Sequence, residues 1–277
     1  MMLSRIVDSH HAIMHNRATS RKNTQRPVML SSQRKQTILA LLAQEKQVQS
    51  RDLSQRFGLS EDSIRRDLRE LAAEGLLQRV HGGALPVSAA LATFETRKSV
   101  QTASKQVIAQ KAVSLIQPGQ IVLIDGGTTS AELVRLLPAT LSFTAVTHSP
   151  SVALALADHP LVEIILIGGQ LYKHSVVTVG AAMLESINRI NADLFFMGVT
   201  GVHPAAGLTT GNFEEATVKR ALAGRAAETV VLASAEKLNS ASAFAIGDLS
   251  LASTLVVETQ PDEALRQALS QQGVTVI

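Results

Sequence analysis

The stretch that decides the fold is residues 31–85, SSQRKQTILALLAQEKQVQSRDLSQRFGLSEDSIRRDLRELAAEGLLQRVHGGAL. Three short helical patterns are followed by a glycine-bounded basic tail. In the first, at about 33–43, Ile38, Leu41 and Leu42 fall at helical spacing and form one apolar face. Ser50 is placed as the N-cap of the second, with Leu53 and Phe57 turned inward, and Gly58 ends it where a positive φ is needed. Ser60 caps the third, and Glu61 and Asp62 put negative charge at its dipole-positive end. Ile64, Leu68 and Leu71 repeat at i, i+4 and i+7 and face the core. Ser63, Arg65, Arg66 and Arg69 are left to other faces. A helix that buries a Leu/Ile stripe and exposes arginines fits the major groove of DNA, where Arg pairs bidentately with guanine. The alternative is a plain solvated face. The short turn at 57–60 argues against it, because it makes this helix the second of a helix-turn-helix pair. Gly75 stops the helix, residues 76–80 read as a strand, and His81-Gly82-Gly83 as the turn of a wing. Arg79 is then a phosphate contact, and His81 is either a plain turn residue or a DNA contact.

Charge is distributed to match. Residues 1–85 carry 14 Lys+Arg against 8 Asp+Glu, residues 86–277 carry 12 against 15, and the whole 277-residue chain has a formal charge of +3. A basic front joined to a mildly acidic rear suits a nucleic-acid module attached to something else. With no cysteine, a disulfide framework, a thiolate zinc site and a Cys nucleophile are excluded. No segment approaches the roughly 18 apolar residues of a membrane span, and the N-terminus lacks an apolar signal core, so the expectation is a cytoplasmic protein without a membrane partner.

The expected divisions are a disordered basic arm at 1–30, a winged helix-turn-helix at 31–86, a linker and connecting helix at 87–118, and an α/β domain at 119–277. The arm carries Arg17, Arg21, Lys22 and Arg26 and would touch phosphates; translation starting at Met29 is the alternative. His11 and His15 stand at i, i+4, but no third ligand lies nearby, and no metal or other cofactor is expected. A hinge is expected at 86–90. Residues 95–116 read as helical, with Val107, Ile108, Ala112, Leu115 and Ile116 on the apolar side.

From Ile121 the pattern changes. Residues 121–125, 143–146, 163–167, 193–199, 229–233 and 254–258 are short apolar, β-branched-rich runs, as strands buried on both faces should be. Helical patterns at 131–137, 151–157, 181–188, 214–227 and 262–272 separate many of them. Alternating β and α implies a mainly parallel sheet covered on both sides, with ligands at the carboxyl ends of its strands. The most informative end is Asp125-Gly126-Gly127-Thr128-Thr129-Ser130. Glycines let the backbone approach a ligand, and helix-start amides with hydroxyls cradle a phosphate. No Gly-Lys-Ser/Thr follows, so nucleotide hydrolysis is not inferred; an ordinary glycine turn is the alternative. Thr147-His148-Ser149, Gly168-Gly169, residues 198–201 and 207–211 are further polar or glycine-rich ends. Glu214, Glu215 and Lys219 open a helix where Glu215 and Lys219 could also be a surface ion pair. Lys237 follows another strand and could meet an anion. His159, His174 and His203 receive no role.

Taken together, these residues resemble the DeoR family of bacterial transcriptional regulators. The match covers 34–85, including Ser63-Ile64-Arg65-Arg66-Asp67-Leu68 and Arg79-Val80-His81-Gly82-Gly83-Ala84. It continues over about 105–258 through Asp125-Gly126-Gly127-Thr128-Thr129, Gly168-Gly169, Gly207-Leu208-Thr209 and residues 214–220. The resemblance implies a winged helix for an operator in double-stranded DNA, an effector domain akin to sugar-phosphate isomerases, and a homo-oligomer. It also implies repression of a sugar or carbohydrate catabolic operon, relieved by a phosphorylated sugar. The residues expected to face DNA are Ser60, Ser63, Arg65, Arg66, Arg69, Arg79 and His81. Carried over by position from the family, Asp125, Gly126, Gly127, Thr128 and Thr129 hold the effector phosphate, and Thr147, His148, Gly168, Gly169, Glu214, Lys219 and Lys237 line the rest of the pocket. The chain departs from the family pattern at His148, where Asn is usual. It departs again at Ala233-Ser234-Ala235-Glu236-Lys237, where a carboxylate has moved from 234 to 236. An enzyme is not expected. The competing readings are an isomerase with Glu214 or Glu215 as base beside Lys219 or Lys237, and a nucleoid-type DNA binder with a rear scaffold.

Overall fold

The computed structural model describes residues 29–45, 47–87, 94–99 and 101–277. The expected arm up to residue 28, with His11 and His15, and residues 88–93 of the expected hinge and linker lie outside them.

The front module contains α1 (Ser31–Glu45), β1 (Val48–Gln49), α2 (Ser50–Phe57), α3 (Glu61–Ala73), β2 (Gln78–Val80) and β3 (Gly83–Leu85). Ile38, Leu41, Leu42, Leu53, Ile64, Leu68 and Leu71 form its core, the apolar stripes read from the sequence. Gly58 ends α2 with φ 66°. Ser60 caps α3, its hydroxyl accepting from the Ser63 N–H at 3.3 Å. Ser50 is not a cap: it is the first residue of α2 and buried, and Gln49, extended in β1, precedes it without a side-chain cap. The wing is a small antiparallel sheet in the order β1-β3-β2. Its turn needs both glycines: Gly82 has φ +78°, and a Cβ on Gly83 would stand 2.0 Å from the Val48 carbonyl oxygen.

The expected helix at 95–116 is two helices, α4 (Phe94–Lys98) and α5 (Thr102–Val113), separated where Gln101 takes φ 52°. Val107, expected on the apolar side, is exposed. Lys105 takes a buried position on α5 instead, so the apolar face is rotated from the one expected.

The rear domain continues β4 (Ile121–Ile124), α6 (Thr128–Arg135), β5 (Phe143–Thr147), α7 (Pro150–Leu156), β6 (Val162–Leu166), β7 (Gln170–Tyr172), β8 (Val177–Val179), α8 (Ala181–Ile187) and β9 (Ala192–Gly198). After these come β10 (Gly201–His203), β11 (Gly207–Thr210), α9 (Phe213–Ala223), β12 (Ala226–Leu232), β13 (Phe244–Gly247), β14 (Thr254–Val256), α10 (Glu263–Gln271) and β15 (Thr275–Val276). Seven strands form one parallel sheet in the order β15-β14-β12-β9-β4-β5-β6. Alternate residues of its central strands feed two cores, as a pleated strand requires. Val122, Ile124, Leu194 and Phe196 pack with α5, α6 and α7; Leu123, Phe195 and Met197 pack with α8, α9 and α10. The chain runs outward from β4 through β5 to β6, then returns to β4's other side at β9. The boundary between β4 and β9 is therefore the switch point where open α/β sheets form crevices. Two smaller antiparallel units, β7-β8 and β10-β11-β13, were not foreseen and stand over that crevice.

Candidate functional site

On the front module, Arg66 and Arg69 of α3 and Arg79 of the wing are exposed, and none makes an ion pair within the described residues. Arg65 is also exposed, but its guanidinium is held by Glu61 at 2.7 Å and Asp62 at 3.0 Å on its own helix. Ser60 and Ser63 share a hydrogen bond of 3.0 Å between their hydroxyls at the start of α3. His81 is exposed at the wing turn. The arginine face is fixed from behind by a pair the sequence reading passed over. Asp67, 1% exposed, accepts from Arg34 of α1 through Nε at 2.5 Å and Nη2 at 3.0 Å. Asp67 lies among the Ile64/Leu68/Leu71 positions on the inner face, so its burial was legible from the heptad spacing alone.

In the rear domain, a cavity of about 170 Å³ opens at the carboxyl ends of β4 and β9. It is lined by Gly126, Gly127, Thr128, Thr129, Ser130, Gly198 and Thr200 on the sheet side. A Cβ on Gly126 would lie 2.2 Å from the Val177 side chain, and Gly127 has φ +120°. Both conditions select glycine. Helix α6 starts here with no side-chain cap, so its first N–H groups point their partial positive charge at the cavity.

Below this floor Asp125 is fully buried. Its Oδ1 accepts from the Gly126 N–H at 2.8 Å and lies 2.9 Å from His148 Nε2. Its Oδ2 accepts from the Gly198 N–H at 2.9 Å and from Lys219. Burial opposes ionisation of Asp125, but Lys219 and the His148 hydrogen bond outweigh it and hold the carboxyl well below its ordinary range. The other ring nitrogen of His148 lies 2.8 Å from the Thr178 carbonyl.

The expected pocket residues therefore divide. Gly126, Gly127, Thr128, Thr129, Lys219 and Lys237 line the cavity. Asp125 and His148 are a layer beneath it. Thr147 spends its hydroxyl on the Ile124 carbonyl at 2.6 Å. Gly168 and Gly169 form the passage from β6 to β7, where a Cβ on Gly169 would meet the Val179 carbonyl at 2.8 Å. Glu214 is exposed, and Glu215 occupies the cavity wall instead, because Asn212 caps α9 at the Glu215 N–H, 3.0 Å away, and sets the helix rotation. Arg97 from α4 and Tyr172, His174 and Ser175 from the β7-β8 hairpin were missed altogether. Each comes from a segment remote in sequence from the glycine motif, so no local spacing marks them.

The cavity is cationic. Burial lowers the Arg97 guanidinium from its ordinary value, with Glu215 and Asp125 opposing. Burial pushes the Lys237 ammonium down to about 8, with Glu236 opposing and Arg97, Lys105 and Lys219 adding to the shift. The displaced carboxylate, Glu236, folds back to accept from the Ser234 hydroxyl at 2.6 Å. No group of His, Asp and Glu suited to a metal occurs among the described residues, and no described helix is long and apolar enough to cross a membrane.

Comparisons with known proteins agree on the family. A model of the DeoR-like helix-turn-helix domain matches residues 34–89, and one of the DeoR C terminal sensor domain matches residues 100–259. The HTH-type transcriptional regulator GlpR of Haloferax volcanii is 34% identical over 251 residues, 90% of this chain and 98% of that one. A putative aga operon transcriptional repressor of Escherichia coli O157:H7 is 33% identical over 89% of this chain and 93% of its own length. Ribose 5-phosphate isomerase A from Methanocaldococcus jannaschii is similar over 48% of this chain and 53% of that one, with 19% identity and a TM-score of 0.36, a partial likeness from which no function is read. Matched in both modules by family models and along nine-tenths of its length by a regulator, the chain belongs to the DeoR family of transcriptional regulators.

Proposed function

We propose that the protein is a transcriptional repressor of a sugar or carbohydrate catabolic operon, that it binds its operator through α3 and the wing, and that a phosphorylated sugar releases it. The observation that carries the effector class is the uncapped start of α6 opening into a cavity walled by Arg97, Lys219 and Lys237. A dianionic phosphate satisfies orphan helix-start amides and neutralises buried cations together. The names of relatives point the same way: one is a putative aga operon repressor, another the glycerol-3-phosphate regulon repressor of Escherichia coli K12, 29% identical over 89% of this chain. Operator binding by a homo-oligomer would place two α3 helices about one DNA turn apart, roughly 34–36 Å.

The isomerase reading draws on one observation, Glu215 and Lys219 in the same cavity wall. Against it, the Lys219 ammonium is already engaged by Asp125, which suits a fixed scaffold better than a group that must follow a moving charge. Exchange of the C2 proton of ketose and aldose phosphates, followed by NMR, would reveal the enzyme.

A thermal-shift panel of pentose and hexose phosphates against the full-length protein tests the binding reading. A ligand at 100 times its Kd adds about 2.7 kcal/mol of stability. No shift with any phosphorylated sugar would remove the basis for this function.

A further inference from the structure

The linker between the two modules is fastened to the cavity at two points. Val87, just past the wing, pairs with Ala241 in a single parallel bridge. Ala241 follows the turn that begins at Lys237, whose carbonyl accepts from Ser240 Oγ at 2.9 Å. Beyond residues 88–93, α4 begins at Phe94, whose N–H donates to the His174 carbonyl at 3.2 Å. Lys237 and His174 both line the cavity, so each fastening reaches a segment that supplies a cavity residue. One helical turn after Phe94, Arg97 enters the cavity itself. Its carbonyl accepts from Lys105, which ties α4 to α5. Its Nε is buried with no hydrogen-bond partner, and Lys237 and Lys105 are close enough to repel its charge.

We propose that Arg97 is the residue through which a bound anionic effector acts on the DNA-binding module. The α6 amides and Thr128–Thr129 supply affinity for the phosphate. Arg97 supplies the difference between states: an anion gives its buried Nε the acceptor it lacks, offsets the repulsion from Lys237 and Lys105, and holds α4 in a position the DNA-bound state does not share. That difference is required, because a ligand with equal affinity for both states shifts nothing. The proposal rests on the reading that the cavity takes a phosphorylated sugar, and deepens it by separating binding from transmission.

The test uses the full-length protein, a DNA fragment selected from a random-sequence pool, and fructose 1-phosphate, fructose 6-phosphate and glucose 6-phosphate as probes. The quantity read is the ratio of DNA Kd with and without saturating phosphate, with ligand binding followed separately by calorimetry. The expected wild-type ratio is at least about fivefold for one of the three. Arg97→Gln is expected to bind that ligand more weakly and, when saturated, to give a ratio near one; Arg97→Lys, which keeps the charge but loses the fork, is expected to give an intermediate ratio. Thr129→Ala is expected to need more ligand and then reach the wild-type ratio. Release by Arg97→Gln equal to wild type at saturation would overturn the proposal. So would unchanged hydrogen exchange at residues 94–98 of the wild type when ligand is added, a readout that does not depend on any variant folding. If the wild type itself neither binds nor responds to the three phosphates, the ligand class is wrong, and the proposal falls with the functional reading rather than alone.

Discussion

Asp125 at the end of β4 and Lys219 on α9 form a buried ion pair, 0% and 6% exposed, between residues 94 positions apart in sequence. The pair fixes α9 against the sheet and sets the cavity floor. Its removal should show as lost stability rather than as lost DNA contacts. Asp125→Ala strands Lys219 and His148 without their acceptor and should cost about 3–5 kcal/mol, measured by urea unfolding at pH 7. Asp125 is held below its ordinary range, so the folded state favours the carboxylate. The stability it contributes is complete above the unfolded value of about 3.9 and is lost as pH falls below it. The Asp125→Ala deficit should therefore shrink when the same measurement is made at pH 3. A deficit independent of pH would reject the assignment.

Lys237 is shifted in the same direction, but here the fold disfavours the charged form. Its folded value near 8 lies below the unfolded value of about 10.4, so between these the unfolded chain binds more protons and folding stability rises with pH. Ligand binding responds in the other direction. A phosphate prefers the charged ammonium, and its own second ionisation is complete by about pH 7, so affinity for a phosphorylated ligand should fall as pH rises through 8. Calorimetry at pH 7 and pH 9 measures the fall, and Lys237→Met should abolish it. An affinity in wild type that is flat over this range would place Lys237 outside the binding machinery.

The Arg34–Asp67 pair joins α1 to the inner face of α3. Asp67→Ala leaves a buried guanidinium unpaired and should destabilise the front module by about 3 kcal/mol, with operator binding lost although Asp67 touches no DNA. Replacing both partners by apolar residues, Arg34→Met with Asp67→Leu, should recover most of the melting temperature. If the double variant melts no higher than Asp67→Ala, the loss is not one of charge pairing.

Arg66 and Arg69 are the exposed arginines of α3 without an intrahelical partner, whereas Arg65 is engaged by Glu61 and Asp62. Arg66→Ala should cost about 1–3 kcal/mol of operator affinity if it reads a base, leaving the melting temperature and effector binding unaltered, as expected of an exposed surface residue. Fluorescence anisotropy with a labelled operator gives the number. Unchanged affinity would move base recognition elsewhere on the module.

The winged helix was legible because every part of it is local. Helical spacing, the Ser60 cap and the two wing glycines lie within 55 residues. The parallel sheet was legible for a related reason, since strands buried on both faces are written as continuous apolar runs. The hairpin β7-β8 and the sheet β10-β11-β13 were not. Their strands are three or four residues long, too short for a period to register. The cavity suffered most from distance. Gly126 to Thr129 announced themselves, but Arg97 reads as an ordinary charge on a linker helix, and only the tertiary fold brings it to the same space. Glu214 and Glu215 differ by one step of helix rotation, which the cap at Asn212 decides.

The proposed function requires that occupancy of the rear cavity govern the DNA affinity of the front module. The most direct measurement is the operator Kd of the full-length protein at fixed salt across a series of phosphorylated sugars. One of them, at a concentration that saturates the cavity by calorimetry, should weaken operator binding at least about fivefold. A sugar phosphate that fills the cavity and leaves operator affinity where it was would contradict the proposed function.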